Sequence, residues 1–176
     1  PLLDVGCSIG FFLKLAGDRG WTGMGLELNE RAVQHARNEF SLDVRRLLLK
    51  DLSFPPESFR AVTLWGVIEH LPEPVNELKR IHHLLESEGI LLILCPNVES
   101  LACRVLRERA ATFDGISHYG YFTPDTLRKA VINAGFEMKT IETHQASLEP
   151  ILNHLNGQDP YLPEEGCFGE IRDVVG

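Results

Sequence analysis

The sequence predicts an α/β domain in which helices cover both faces of a doubly wound, mostly parallel sheet. Three observations favour this class. A short apolar stretch, Leu2–Val5, leads directly into a glycine-rich turn and then into an apolar helix. Strand-like and helix-like segments alternate as far as Cys95. The run Ile90–Cys95 is continuously apolar, as expected for a strand in the buried centre of a parallel sheet.

Apolar spacing and capping residues predict the elements of the first half in order. Asn29 is placed to cap the second helix, and the segment 72–74 opens the third. Apolar residues then recur at helical spacing in both. The predicted strands are Leu2–Val5, Trp21–Glu27, Val44–Leu49, Ala61–Trp65 and Ile90–Cys95, and the first predicted helix is Ile9–Ala16.

The second half predicts three more helices and one strand. Residues 99–109 form a helix with Leu101 among its inward residues, and an aromatic-rich loop follows over 111–122. Thr123 is the N-cap and Pro124 the first residue of the next helix, which buries Leu127, Val131 and Ile132 and ends at Gly135. Residues 136–141 alternate like a strand, and a last amphipathic helix spans Leu148–Leu155. We expect one domain over 1–157 and a loosely packed tail over 158–176.

Composition limits the classes of partner. With 176 residues, 44% hydrophobic and 24% charged, the chain resembles an ordinary globular domain. A net charge of -8 argues against nucleic acid or an anionic membrane as the main partner. No apolar run approaches the roughly 20 residues that span a membrane. The four cysteines lack CxxC spacing, so we expect reduced thiols, a cytoplasmic location and no metal site.

The start of the chain is abrupt. It lacks an initiator Met, and the first strand begins at Leu2. We therefore expect that an N-terminal helical part is absent and that the fold is truncated there.

Two acidic residues flank the glycine turn. Glu27 ends the second predicted strand, 23 residues after Asp4, close to the spacing of about 20 residues at which an acid meets a ribose in nucleotide-binding folds. The turn itself contains Gly6, Ser8 and Gly10, small residues that let the backbone approach a ligand closely. The alternative is that Glu27 only caps the helix beginning near Asn29.

Four stretches together resemble the class I, Rossmann-like S-adenosylmethionine-dependent methyltransferases. The similarity is greatest to the small-molecule branch that includes the ubiquinone-biosynthesis O-methyltransferases, and it covers residues 2–143. All four stretches occur in the order and at the spacing of that family. They are Leu3–Gly10, Gly25–Leu28, Val67–Pro74 and Tyr121–Leu127.

The resemblance implies S-adenosylmethionine as cofactor and assigns it binding residues. Asp4 would anchor the turn and approach the methionine amino group, and Glu27 would hold the ribose hydroxyls. Leu28 would pack on the adenine face, while Trp65 and Gly66 would border the methionine part. The close-approach backbone would come from Gly6, Cys7, Ser8 and Gly10.

The adenine contact departs from the family pattern. The acid that usually meets the adenine amino group falls on Leu48. Either Asp51, three residues later, or a backbone N–H near Leu49 could take its place. Ser8 stands where the motif has its middle glycine, which a small residue can replace.

The resemblance implies transfer of a methyl group to a small-molecule acceptor, with oxygen as the expected nucleophile and in-line displacement as the mechanism. A hydroxyl of high pKa needs a general base, and histidine is the commonest type. His70 is the first candidate, because it follows the end of the fourth strand, and His118 in the aromatic loop is the second. That loop could supply substrate recognition or could simply plug the sheet.

Three alternatives remain from the sequence. The domain could be a non-catalytic binding or scaffold module that keeps the fold. The stretch Gly6–Gly10 also matches the G-x-S-x-G nucleophile elbow of hydrolases, with Ser8 as nucleophile and His144 or His154 as base. A nicotinamide-dependent dehydrogenase needs G-x-G-x-x-G, whose later glycines are missing here.

Overall fold

A computed structural model describes residues 1–113, 115–144 and 148–161. Its five strands form one all-parallel sheet in the order β3-β2-β1-β4-β5. The strands are β1 (Leu2–Val5), β2 (Gly23–Leu26), β3 (Asp43–Arg45), β4 (Phe59–Trp65) and β5 (Leu85–Leu94). The helices are α1 (Phe11–Gly17), α2 (Glu30–Phe40), α3 (Pro74–Leu84), α4 (Leu101–Leu106), α5 (Pro124–Asn133) and α6 (Glu149–Leu155). The predicted α/β class is confirmed.

Alternate residues of the central strand point into two separate hydrophobic clusters. Leu3 belongs to the cluster that includes Leu78 of α3 and Val131 of α5. Leu2 belongs to the cluster that includes Leu13 of α1 and Val33 of α2. Because successive side chains of a strand point to opposite faces, the two clusters show helices on both faces of the sheet.

The chain reverses its direction of travel across the sheet at β1. Strand β1 pairs with β2 on one side and with β4 on the other. In open α/β sheets, ligands bind outside the carboxyl ends of the strands at such a switch point. The loop that follows β1 is the glycine turn of the sequence motif, so the topology places the candidate site at this edge.

The predicted central position of Ile90–Cys95 is wrong. Strand β5 pairs with β4, and no strand of the described residues covers its other edge. Ile90, Leu92 and Leu94 are about half exposed, whereas Leu91 and Ile93 pack against the core. Helices α1 and α2 pack over β2 and β3, and the exposed alternate residues show that one face of β5 is largely open. A continuous apolar run therefore did not identify the most buried strand.

The boundaries of α1 and β3 differ from the predictions for physical reasons, and one predicted strand is absent. Helix α1 begins at Phe11 because Gly10 adopts a left-handed φ of 82°. Strand β3 ends at Arg45, which pairs with the last residue of β2, Leu26, and a 3-10 helix follows. Residues 136–141 do not form a strand, since no ladder joins them to the sheet.

The later helices follow their capping signals more closely than their predicted faces. Thr123 caps α5 by accepting a hydrogen bond from the N–H of Thr126 at 3.1 Å, and Gly135 ends the segment with φ of 102°. Leu101 and Ile132 were predicted to be inward but are about half exposed. Within the described residues, no helix combines the length and apolar character needed to cross a membrane.

Gly25 of β2 lies directly under the glycine turn. A Cβ built there would overlap Cys7 Sγ and come within 2.8 Å of Leu13 Cδ1. We expect Gly25→Ala to lower the free energy of unfolding by about 1–3 kcal/mol, because an overpacked core must shift. Gly17→Ala is the control: no atom lies within 4 Å of its added Cβ, and helix propensity should raise stability by about 0.5–1 kcal/mol. Urea unfolding of both variants measures the difference. Equal effects would contradict this packing.

Candidate cofactor and acceptor site

The carboxyl ends of the parallel strands bring most predicted site residues to one edge of the sheet. The glycine turn follows β1, and Glu27 and Leu28 follow β2. Trp65 ends β4, and Gly66 comes directly after it. Residues far apart in the chain, such as Gly6 and Gly66, are thus neighbouring features of one edge of the sheet.

Three residues of the glycine turn adopt left-handed backbone conformations. Gly6, Ser8 and Gly10 have φ values of 70°, 50° and 82°. The N–H groups of Gly6 and Cys7 both donate to Leu26 O, at 2.8 and 3.0 Å. Ser8 is exposed and takes a backbone conformation that glycine adopts more easily. This conformation agrees with Ser8 standing in for the middle glycine of the motif.

The carboxylate of Glu27 joins the ends of β1 and β2. Its Oε2 accepts a hydrogen bond from Ser8 N at 2.9 Å. Its Oε1 accepts hydrogen bonds from the N–H groups of Leu28 and Asn29, at 2.7 and 2.8 Å. The cap of α2 is Asn29, whose side chain accepts from Arg31 N and Ala32 N. Glu27 therefore orders the loop at the strand end rather than capping the helix.

Asp4 is a buried acid inside the central strand. It is 1% exposed, and its Oδ1 accepts a hydrogen bond from Thr63 Oγ1 at 2.6 Å. Burial raises the pKa of Asp4 to about 6, the Thr63 hydrogen bond opposes that rise, and the charge of Glu27 adds to it. A cation at this edge would stabilise the ionised form of Asp4.

Thr63 was not among the predicted site residues. The sequence signal for it was weak: one hydroxyl within the otherwise apolar run Ala61–Trp65. Because parallel pairing puts Asp4 opposite Thr63, the hydroxyl is a fixed partner of the carboxyl group. We assign Thr63 as a positioning residue for Asp4.

The segment after β3 lies beside Leu28. Arg46 Nε donates to Leu28 O at 3.0 Å, and its Nη1 pairs with Glu30 Oε2 at 3.4 Å. Leu28 is 53% exposed, an apolar side chain available to a flat ligand. Leu49 is buried and Asp51 is exposed in the 3-10 helix Leu49–Asp51. An adenine contact from either residue stays a prediction.

Trp65 and Gly66 form the β4 side of the edge. The Trp65 ring meets Phe12 of α1 edge-on, with centroids 5.1 Å apart. Trp65 is nevertheless 38% exposed, so it is not a fully buried core residue. Gly66 adopts φ of 66° and its N–H donates to Leu94 O at 2.9 Å.

The structure brings the two base candidates together. The rings of His70 and His118 have centroids 4.8 Å apart. His70 Nδ1 lies 2.8 Å from Ser117 O, and His118 Nδ1 lies 2.7 Å from Thr112 O. A carbonyl oxygen only accepts, so each Nδ1 carries a proton, and the lone pair of the neutral ring is on Nε2. The spacing of the two histidines in the chain does not predict that they are neighbours.

Most rings of the aromatic loop are partly exposed, whereas Phe122 at its end is 8% exposed and belongs to the hydrophobic core. Phe113 and Tyr121 contact each other with ring centroids 5.4 Å apart, and His118 lies edge-on to Tyr121 at 6.4 Å. Tyr119 is 70% exposed. These rings border the histidine pair, but a role in substrate recognition stays a prediction.

The chemistry of this edge fits S-adenosylmethionine. The ligand carries positive charge on its sulfonium and ammonium groups, and the edge presents the carboxylates of Asp4 and Glu27. The electrostatic coupling of these acids to each other would be relieved by a bound cation. The same edge carries the exposed Leu28, the partly exposed Trp65 and the glycine turn. Together these features form a surface that suits a nucleoside.

A family model described as a methyltransferase domain matches residues 1–141. This chain belongs to that methyltransferase family. The resemblance inferred from four short stretches is thereby confirmed, and S-adenosylmethionine is the cofactor that the family implies.

Individual relatives agree with this assignment. The domain is 29% identical over 94 residues to a ubiquinone biosynthesis O-methyltransferase of Pseudomonas syringae pv. tomato, covering 50% of this chain and 40% of that protein. A SAM-dependent methyltransferase structure from Archaeoglobus fulgidus superposes with a TM-score of 0.65 at 22% identity, covering 89% of this chain and 76% of that one. A methyltransferase structure from Mesorhizobium loti gives 0.65 at 20% identity, with 80% and 76% coverage. The structural matches show the fold. The chain spans about two fifths of the curated relatives it matches.

Among the described residues, no hydrogen bond joins the Ser8 hydroxyl to His144 or His154, as the hydrolase alternative would need. The backbone N–H of Ser8 donates to Glu27. The two proposed bases contact other groups: His144 lies 3.1 Å from Glu142 Oε2, and His154 lies 3.2 Å from Arg109 Nη1. Membership of the methyltransferase family explains the glycine-serine motif without a nucleophile. The serine is a turn residue.

Proposed function

We propose that the domain catalyses transfer of a methyl group from S-adenosylmethionine to a hydroxyl oxygen of a small molecule. The observation that carries the proposal is the Glu27 carboxylate, bonded across the glycine turn at the switch point of the sheet. Its position suits an acid that accepts hydrogen bonds from both ribose hydroxyls. The likeness to ubiquinone biosynthesis O-methyltransferases supports oxygen as the methylated atom.

Each residue of the site has a separate task in this proposal. S-adenosylmethionine, when bound, supplies an electrophilic methyl group. Asp4 accepts from the ammonium of the methionine part, and Glu27 holds the ribose. Leu28 and Trp65 exclude water from the adenine and methionine parts. Positioning and a dry pocket are the main contributions that a protein can make to such a displacement.

The histidine pair can remove the proton of the acceptor hydroxyl. Its Nδ1 protons are held by carbonyl oxygens, so Nε2 of either ring is the basic atom. His70 is exposed and lies in the 3-10 helix Ile68–His70 directly after β4. This position makes His70 the first candidate for general base and His118 the second.

The proposal is tested by incubating the protein with methyl-labelled cofactor and a panel of phenols, aliphatic alcohols and amines, with product detection by mass spectrometry. We expect O-methylated products. In His70→Ala the rate should fall about 10²–10⁴-fold, the usual contribution of a general base, with the His35→Ala variant as control. Wild-type-like turnover in both His70→Ala and His118→Ala would rule out the histidines as base.

The non-catalytic alternative has a different signature. A scaffold module that has lost its cofactor site would give no heat on titration with S-adenosylmethionine. Binding without turnover on any acceptor would indicate a regulatory cofactor site instead. Labelled O-methyl product excludes both of these outcomes.

A further inference from the structure

We propose that Tyr161 is a positioning residue for the histidine pair, through a hydrogen bond between its hydroxyl and the backbone of the aromatic loop. Tyr161 Oη accepts the N–H of Ala111 at 2.7 Å, although Tyr161 lies 50 residues further along the chain. Thr112 follows Ala111 directly, and its carbonyl oxygen accepts the Nδ1–H of His118 at 2.7 Å. Two hydrogen bonds and one peptide unit therefore connect Tyr161 to a candidate base.

A compact turn after α6 gives Tyr161 a defined direction. Gln158 N donates to Asn153 O at 2.8 Å, and Asn153 Nδ2 donates to Pro160 O at 3.4 Å. Tyr161 N donates to Asp159 Oδ1 at 2.9 Å, and Pro160 is buried. These bonds fold the turn back on α6, so the tyrosine at its end is held by the helix.

Helix α6 is itself fixed beside the segment that leads into the aromatic loop. Ile151 of α6 is 6% exposed, and α6 packs against α4. His154 Nδ1 lies 3.2 Å from Arg109 Nη1, and a guanidinium only donates, so the ring nitrogen accepts. Helix α6 and its turn therefore bond to the backbone segment around Ala111 at two points.

The N–H of Ala111 needs an acceptor from outside its own segment. Ala111 is the first residue of the 3-10 helix Ala111–Phe113, and the first N–H groups of a helix have no partner within it. The Tyr161 hydroxyl takes the role that a capping side chain usually has. Without it, the N–H would bond to water, and the start of this short helix would lose its attachment to the turn after α6.

The backbone after His118 is fixed independently of Tyr161. The N–H groups of the next two residues both donate to Glu69 O, at 2.8 and 2.9 Å, which fastens this part of the loop to the end of β4. The direction of the His118 ring depends in addition on Thr112 O. That ring lies against His70, with centroids 4.8 Å apart. A displacement of Thr112 therefore changes the geometry of the histidine pair.

The property that Tyr161 controls is the tautomer of His118. While Thr112 O accepts the Nδ1–H, the neutral ring keeps its proton on Nδ1. When that bond weakens, the neutral ring populates both tautomers, and the Nε2–H form has no lone pair on Nε2 with which to accept a proton. The consequence for catalysis rests on the proposed function, whereas the consequence for the tautomer does not.

Tyr161→Phe tests the proposal, because it removes only the hydroxyl. Amide hydrogen exchange of Ala111 should become about 3- to 10-fold faster and kcat for methyl transfer should fall by a similar factor, the equivalent of one neutral hydrogen bond. Long-range ¹H–¹⁵N spectra should show His118 changing from the Nδ1–H tautomer to a mixture of both. The affinity for S-adenosylmethionine should change less than about twofold, since distant sites act independently. The control is Leu155→Ala, which alters an exposed side chain of α6 and should leave all four quantities unchanged.

A double-mutant cycle separates positioning from a structural role. Added to His118→Ala, Tyr161→Phe should cause no further fall in kcat, because residues that act as a unit are not additive. Additive losses, or a lower melting temperature of Tyr161→Phe with an unchanged His118 tautomer and kcat, would overturn the positioning role. If the wild type transfers no methyl group but Tyr161→Phe still changes the tautomer, the proposed function fails and the positioning of His118 by Tyr161 stands.

Discussion

Replacing Glu27 with glutamine should weaken S-adenosylmethionine binding about 10- to 100-fold. Hydrogen bonds to a charged group contribute roughly 1.5–3 kcal/mol, and glutamine retains the shape but loses the charge. The change also disturbs the turn, because both oxygens of Glu27 accept backbone N–H groups. The amide NH₂ of glutamine cannot accept a hydrogen bond. In either orientation it faces backbone N–H donors, those of Leu28 and Asn29 or that of Ser8, and the hydrogen bond on that side is lost.

Glu30→Gln is the matched control. Glu30 lies three residues further along the chain, is exposed, and pairs with Arg46 at 3.4 Å. Surface ion pairs of this kind contribute little to stability, so the affinity should change by less than about twofold. Isothermal titration calorimetry of both variants measures the difference. Equal affinities would show that Glu27 orders its loop without contacting the ribose.

Replacing Asp4 with asparagine should stabilise the unliganded protein while weakening cofactor binding. Burial holds the pKa of Asp4 at about 6, above its ordinary value of 3.8. A raised folded-state pKa means that this group favours folding below about pH 4 and loses that contribution as pH rises through about 6. Keeping Asp4 ionised in the fold therefore costs on the order of 2–3 kcal/mol at pH 7.5.

Asparagine removes this cost, because its Oδ1 can still accept from Thr63 Oγ1. The free energy of unfolding of Asp4→Asn should exceed that of wild type at pH 7.5, and the difference should vanish near pH 4. Chemical denaturation at the two pH values measures it. Asp18→Asn, which alters an exposed acid paired with Lys14, should change stability by less than about 0.5 kcal/mol at either pH.

Cofactor affinity should fall at low pH, whereas the stability contribution of Asp4 rises at low pH. The affinity of the wild type for S-adenosylmethionine should fall as pH drops through about 6, since protonated Asp4 no longer attracts the ammonium group. Asp4→Asn should bind about 10-fold or more weakly at pH 7.5 and lose this pH dependence. If the difference in unfolding free energy between Asp4→Asn and wild type is the same at pH 7.5 as at pH 4, and the variant binds S-adenosylmethionine with wild-type affinity, Asp4 has a purely structural role.

The glycine turn and the position of Glu27 could be predicted from the sequence. Gly6, Ser8 and Gly10 sit between a strand and a helix, and their left-handed φ values follow from the small residues that the turn needs. The position of Glu27 beside the turn could be predicted because β2 must end at the same edge as β1 in a parallel sheet. Local chemistry and one rule of topology were sufficient for both.

Features that depend on distant contacts were missed. The composition of Ile90–Cys95 could not show that β5 lies at the edge of the described sheet, because neighbours are set by chain topology. Thr63 acquires its role from pairing with Asp4. The pairing of His70 and His118 depends on hydrogen bonds that fasten a distant loop to the end of β4.

The central claim is that the carboxyl edge around Asp4, the glycine turn and Glu27 binds S-adenosylmethionine. Titration calorimetry of the wild-type protein with S-adenosylmethionine and S-adenosylhomocysteine at pH 7.5 tests it most directly, with NAD as the comparison ligand. We predict saturable binding of both sulfur nucleosides at one per chain and no binding of NAD. Absence of heat with both nucleosides, or tighter binding of NAD, would contradict the claim.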